Sequence, residues 1–222
     1  MPNITRPKAE SARIEAFSDG VFAVAITLLV LNLRAPETPG NFFSELLTQW
    51  PSYVAYIAAF LYIGIVWIEH HSLFTIIRRV DSTLIARNLL HLLITSSIPF
   101  ITAVASNSLR GGNRSDLTAA VFLFGSISIV LIINWYGLCR YLERTPHLLT
   151  NPAAVAAVRH DRVRQPGNLI IPIVAMGIAL FNPLVSLGCM SLFPLLYFAA
   201  LWFRDRGTKA NQDASTDEPA TV

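Results

Sequence analysis

Charge is what this sequence has least of. Asp, Glu, Lys and Arg make up 14% of its 222 residues, against about 25% in soluble domains, and a deficit of that size excludes water as the main solvent of the fold. Cysteine is almost missing as well: Cys139 and Cys189 both fall inside apolar runs, which excludes a disulfide framework and the spacing of a metal knuckle. No Gly-rich phosphate loop, no nucleophile elbow with its His and carboxylate, and no pair of catalytic carboxylates within a span can be found, so an enzyme is not expected. The opening MPNITRPKAESAR lacks a cleavable apolar core, and the first apolar run reads as an uncleaved span. The net charge of +3 and pI near 9.1 come from Lys and Arg in short loops between apolar runs. That is the pattern of membrane topology and not of a basic groove, so nucleic acid is not an expected partner.

What is abundant is apolar surface, with 53% hydrophobic residues and a mean hydropathy of +0.50. A crossing of the hydrocarbon needs roughly 20 predominantly apolar residues. The runs predict an all-α membrane protein with six transmembrane helices at about 12–33, 48–74, 84–106, 117–141, 167–181 and 184–203. Together they form a six-span domain over 12–204, with a polar cytoplasmic tail at 1–11 and a disordered one at 205–222. Pro99 falls mid-helix in the third span, where neighbouring groups can satisfy the freed carbonyl. Asn151 and Pro152 have the pattern of an N-cap and first helical residue, predicting a short helix outside the membrane between spans four and five. Six crossings put both termini on one side. Fourteen of the 17 Lys and Arg lie there, and only Arg34, Arg110 and Arg114 lie opposite, which makes the termini cytoplasmic by the positive-inside rule.

The chain is organised around its first span, RIEAFSDGVFAVAITLLVLNL, because Arg13, Glu15, Ser18 and Asp19 occupy its first two turns. Polar groups at such depth are costly and face a bundle interior or a water-filled path. At 100° per residue, Arg13, Phe17, Gly20, Val24, Thr27 and Leu31 fall on one stripe with a single hydroxyl, a row able to line a narrow pore. Asp19 projects elsewhere, beside Ala16, Ala23, Ile26 and Val30, toward a neighbouring helix of the same chain.

Trp67, His70 and His71 close the second span with Glu69 between them. Adjacent His residues point about 100° apart, unlike the i, i+4 pair that holds zinc from one face, so no tightly bound metal is expected. A buried polar network is the stronger reading, with His70 or His71 meeting Ser18, Asp19 or Asn88. Arg13 fits a pore mouth, a snorkelling anchor or a partner for a carboxylate, and Thr27 fits either a lining hydroxyl or a membrane Thr bonded back to its own helix. Two further readings stay open: a proton- or cation-coupled transporter using Asp19, His70 and His71 as a relay, although no broken-helix pair or inverted repeat is visible, and a membrane assembly protein that conducts nothing.

The motif R-x-x-x-F-S-D-G, here Arg13, Phe17, Ser18, Asp19 and Gly20, resembles the signature of the transmembrane protein 175 family, the lysosomal potassium channels and their prokaryotic relatives. Trp67-x-x-His70-His71, Asn88-Leu89-Leu90 and Pro99-Phe100 are similar too. The resemblance implies a potassium channel, moderately selective over sodium, whose pore is lined by the first helix without a TVGYG filter. A single repeat per chain implies a prokaryotic inner-membrane homotetramer. The family's constriction falls on Val24, its hydroxyl position on Thr27 with transient K+ nearby, and its next apolar ring on Leu31, with Gly20 on the same lining. Arg13, Phe17, Ser18, Asp19, Trp67, His70, His71 and Asn88 would hold that helix in place. No cofactor is implied beyond the permeant ion, and the bilayer is the other partner.

Overall fold

The computed structural model describes residues 7–36 and 39–216, with side chains described for 10–36 and 39–199. Among the described residues nine α-helices follow in order: α1 (Pro7–Leu28), α2 (Phe42–Thr48), α3 (Trp50–Thr75), α4 (Ser82–Ser96), α5 (Ile98–Gly111), α6 (Arg114–Arg144), α7 (Pro152–Asn168), α8 (Ile170–Phe181) and α9 (Pro183–Thr216). Among the described residues there is no strand, only an isolated bridge between Ile77 and Leu149. Glu10–Asn32, Trp50–Thr75, Ser82–Gly111, Arg114–Arg144 and Pro152–Phe181 are long and apolar enough to cross a membrane, and Pro183–Ala199 is a shorter apolar helix.

Several boundaries differ from the sequence expectation, each for a physical reason. Residues 7–11 of the expected tail are already helical, while 1–6 lie outside the described residues; Pro7 suits a helix start because its missing N–H would have no intrahelical partner there. The third apolar stretch, Ser82–Gly111, stays helical across its proline, with Ser97 keeping helical dihedrals. Its hydrogen-bond ladder is interrupted at Ser97, because Pro99 supplies no N–H and its ring crowds the carbonyl one turn back; the Ser97 hydroxyl donates to Ile94 O at 2.6 Å, and the carbonyl of Pro99 accepts from Asn32 Nδ2 at 3.3 Å. The expected disordered segment from 205 is helical as far as Thr216, being the continuation of α9, and 217–222 lie outside the described residues.

Helix α7 starts where its cap residues demand, with Asn151 Oδ1 accepting from Ala154 N at 2.9 Å. It does not stand apart from the next segment: Leu169 keeps helical dihedrals, so α7 runs almost directly into α8. The 12 residues of α8 extend only about 18 Å at 1.5 Å each, against roughly 30 Å of hydrocarbon. Only together with turns of α7 does the stretch reach a spanning length, as Pro152–Phe181 does. At the far end, Arg114 Nη2 donates to Leu180 O at 3.1 Å and Phe181 O at 2.8 Å, placing a cation on the carbonyls that end α8.

Three apolar clusters hold the helices. Phe22, Ala25 and Leu29 of α1 and its following turn meet Ile63, Leu92, Ile98 and Leu131. The end of α3 packs with α4, α6 and α7 through Phe74, Leu84, Trp135, Leu138 and Val158. Val121, Ala175, Ala179 and Met190 join α6, α8 and α9.

The α3–α4 connection is pinned by Asp81. Its Oδ1 accepts from Leu84 N at 2.8 Å as the N-cap of α4, and its Oδ2 accepts from the Tyr141 hydroxyl of α6, over whose ring Arg87 lies at 5.3 Å. Desolvation raises the Asp81 carboxyl, but the hydrogen bonds from Tyr141 and Leu84 outweigh it and hold the group below its usual carboxylate value. A lowered folded pKa means that this contribution is complete above the ordinary carboxylate range and is lost as pH falls through the lowered value. Asp81→Ala is expected to destabilise the chain by about 1–2 kcal/mol, read as a lower unfolding midpoint at pH 7 and a smaller difference from the parent in acid.

Candidate pore-lining helix and its anchoring network

Helix α1 has two faces with different environments. Ser18, Phe22, Ala25 and Leu29 are buried, at 0%, 1%, 2% and 0% exposure, and form the side turned into the chain. Phe17, Val24 and Leu31 are 56%, 58% and 73% exposed, with Gly20 and Thr27 also exposed between them. A Cβ added at Gly20 would meet nothing within 4 Å inside the chain. The expectation that the Asp19 side faces a neighbouring helix is corrected in part. Asp19 and Ile26 are half-buried, while Ala16, Ala23 and Val30 are exposed, because the packed face is centred one residue earlier, on Ser18.

The helical projection shifts past Leu28, although Leu31 stays on the exposed side. Residues Leu29–Asn32 form a 3₁₀ turn, which advances 120° per residue instead of 100°. By Leu31 this rotates the side chain roughly 40–60° beyond its place on an unbroken α-helix. Val24 and Thr27 keep their positions on the stripe. Thr27 Oγ1 donates to Val24 O at 2.9 Å, so its proton is committed to the helix and its oxygen lone pairs remain on the open side.

Buried beneath α1 is a directional hydrogen-bond chain. The Ser18 hydroxyl donates to Ile14 O at 2.8 Å and its oxygen accepts from Asn88 Nδ2 at 2.9 Å. Asn88 Oδ1 lies 2.9 Å from His70 Nε2, and since an amide oxygen can only accept, that ring nitrogen carries the proton. His70 stacks on Phe74 at 4.3 Å and meets the edge of Phe22 at 5.2 Å. One asparagine of α4 thereby ties α1 to α3 with both of its functional groups, and Ser18, Asn88 and His70 are 0%, 1% and 0% exposed.

Two further contacts run along the edge of the same interface. Trp67 Nε1 donates to Asp19 Oδ1 at 2.8 Å, and His71 Nδ1 lies 3.0 Å from Glu15 Oε1, with the Trp67 and His71 rings stacked at 5.7 Å. Arg13 and Phe17 lie outside this network. Both are exposed and line a groove against α4 with Asp81, Ile85 and Leu89, since they share the stripe of Val24 and not the face of Ser18. The structure does not join Asp19, His70 and His71 into a relay, because each is bonded to a different partner. No group of three or more His, Cys, Asp or Glu able to hold a metal occurs among the described residues. Asn134, whose Nδ2 lies 3.4 Å from His91 Nδ1, carries no signal in the sequence, and Glu15, noted there among the polar residues of the first two turns, has its partner His71 only in the fold. The i, i+4 step from Glu15 to Asp19 along one helix edge, matched by Trp67 and His71 at the same spacing, is the signal that pairs these four residues.

Residues 13–99, which include α1 and the Ser18–Asn88–His70 chain, match the sequence pattern of the endosomal/lysosomal potassium channel TMEM175 family. The chain is 39% identical over 191 residues to a potassium channel of Streptomyces collinus, covering 85% of this chain and 91% of that one. The chain belongs to the TMEM175 family. A potassium channel of Chamaesiphon minutus is 33% identical over 86% of this chain and 95% of its own. A crystal structure of a lysosomal potassium-selective TMEM175 homolog from the same organism superposes with a TM-score of 0.71 at 30% identity, covering 86% of this chain and 97% of that one. The TMEM175 family consists of ion channels and not enzymes, and the helical fold is theirs.

Proposed function

We propose that the chain forms a homotetrameric potassium channel in a prokaryotic inner membrane, with four copies of α1 around a common axis. The observation that carries this reading is the open stripe of α1: Val24 and Thr27 are exposed in the single chain, while the opposite face is fixed by the Ser18–Asn88–His70 chain. Kinship with proteins named potassium channels supports the choice of ion. The chain crosses six times, the last two through α7–α8 and Pro183–Ala199, with both termini on the Arg-rich cytoplasmic side.

Around the axis, rings of Val24 and Leu31 form apolar constrictions that resist wetting. The Thr27 ring between them offers four oxygens whose protons are held by Val24 carbonyls, so they act as acceptors toward a partly dehydrated cation. Potassium passes more readily than sodium because its hydration shell is cheaper to strip, and the preference is moderate because one hydroxyl ring supplies fewer oxygens than stacked carbonyls.

Thr27→Val keeps the shape and removes the oxygens. The potassium-to-sodium permeability ratio in liposome flux is expected to fall roughly 3–10-fold, the equivalent of about 0.5–1.5 kcal/mol per lost polar contact. An unchanged ratio removes Thr27 from the lining.

A further inference from the structure

A cavity of about 300 Å³ lies within the chain between α3, α6, α8 and α9, with α7 at its edge, and no residue of α1 lines it. Its size is at the lower end of small-molecule sites, about 300–1,000 Å³. The walls are mainly apolar and aromatic, including Tyr62, Phe124, Trp135 and Phe193.

Polar side chains break that lining, among them Glu69 of α3, His91 of α4, Ser128 of α6 and Arg164, Gln165 and Asn168 of α7. Glu69 stands within the α3 span and has no ion-pair partner within 4.0 Å among the described residues. Of the two α7 charges that act on it, Asp161 opposes the carboxylate and Arg164, which shares the lining, favours it. His91 is 2% exposed; its Nδ1 accepts from Asn134 Nδ2 at 3.4 Å, which leaves the proton on Nε2, and Nε2 has no protein partner. A carboxylate and a buried N–H at membrane depth are both costly unless something completes them. Aromatic faces beside a carboxylate are the surroundings that stabilise an organic cation.

We infer that this cavity is a binding site for an ammonium ion carrying a compact apolar body, its positive group on Glu69 and its body among the aromatic rings. An acceptor oxygen on the ligand can take the His91 Nε2 proton. The site is separate from the conduction path proposed above, and its existence does not depend on that reading. Two sources carry this chemistry, a soluble amine and the headgroup of an ethanolamine phospholipid.

The test is equilibrium binding of radiolabelled phenethylamine to the full chain in phosphatidylcholine nanodiscs. The expected result is saturable binding that n-propylbenzene, with a methyl in place of the ammonium, does not displace. Glu69→Gln should weaken it roughly tenfold or more, as expected for a lost charge-assisted contact. Ser128→Leu, which fills the cavity from α6 and leaves the carboxylate in place, should weaken it equally, and both variants are compared at the elution volume of the parent assembly. Thr27→Val should bind as the parent does. No saturable binding, displacement by n-propylbenzene, or parental affinity in either cavity variant overturns the site; loss in Thr27→Val assigns the amine to the pore and overturns it equally. Adding phosphatidylethanolamine then separates the sources: competition names the lipid headgroup as occupant, and its absence a soluble amine, with the site upheld in both cases.

Discussion

Replacing Asn88 with alanine is expected to remove most of the correctly assembled protein. The amide of Asn88 accepts from His70 and donates to Ser18, so its loss leaves the His70 Nε2–H without an acceptor and the Ser18 oxygen without its donor. Each uncompensated buried polar group costs about 1–3 kcal/mol, and the vacated volume adds to that. A total of roughly 3–5 kcal/mol is comparable with the whole stability of many domains. Asn88→Leu fills the space and keeps the polar loss, so it should recover only part of the stability. An exchange at an exposed site, such as Val163→Ala at 63% exposure, should stay within about 0.5 kcal/mol of the parent. The measurement is the yield of monodisperse assembly and its unfolding midpoint in denaturant. A midpoint unchanged in Asn88→Ala means that water takes the place of the amide and that the chain of hydrogen bonds does not fix α1.

The reason for expecting so large an effect from one residue is geometric. Ser18 and Asn88 are 70 residues apart and His70 and Asn88 are 18 apart, so no local propensity assembles them. The sequence offered His70, His71, Ser18, Asp19 and Asn88 as members of one polar network without saying which meets which. The pairing was illegible because it depends on rotations of α1, α3 and α4 about their own axes, and on a packed face of α1 centred on Ser18 beside the charged Asp19. Short-range features were easier to read. Asn151 and Pro152 carry their helix start in two adjacent residues, and the bond to Ala154 follows from that. The apolar runs gave the all-α fold, but not the 3₁₀ turn at Leu29–Asn32, since nothing in LVLN differs in composition from the helix before it. Pro99 marks the interruption at Ser97 in the sequence itself, and the helical dihedrals kept there agree with a proline accommodated within one apolar stretch. Glu69 and His91 came together only in three dimensions, from α3 and α4 across a cavity closed by α8 and α9.

If the exposed face of α1 is the pore wall, Val24→Ser should have the largest effect on conduction of any single exchange along it. Val24 lies one helical turn before Thr27, on the side of α1 that the chain leaves uncovered. A ring of four valines holds back water at its narrowest separation, whereas a ring of four serines is smaller and supplies hydroxyls, so a continuous file of water can persist through it. Removing a dewetting barrier of about 1.4–2.7 kcal/mol raises the ion flux roughly 10–100-fold. The potassium preference should weaken less than the flux rises, since Thr27 and its bond to the Val24 carbonyl are untouched by a change of side chain. Val130→Ser provides the contrast: Val130 is 46% exposed but stands on α6, and its exchange should leave flux near the parental rate. The measurement is potassium uptake into proteoliposomes under a fixed gradient, normalised to assembled protein. Equal flux in Val24→Ser and the parent, or a matching rise in Val130→Ser, would mean that this face of α1 does not set the flux, and the roles given to Val24 and Thr27 would fall together.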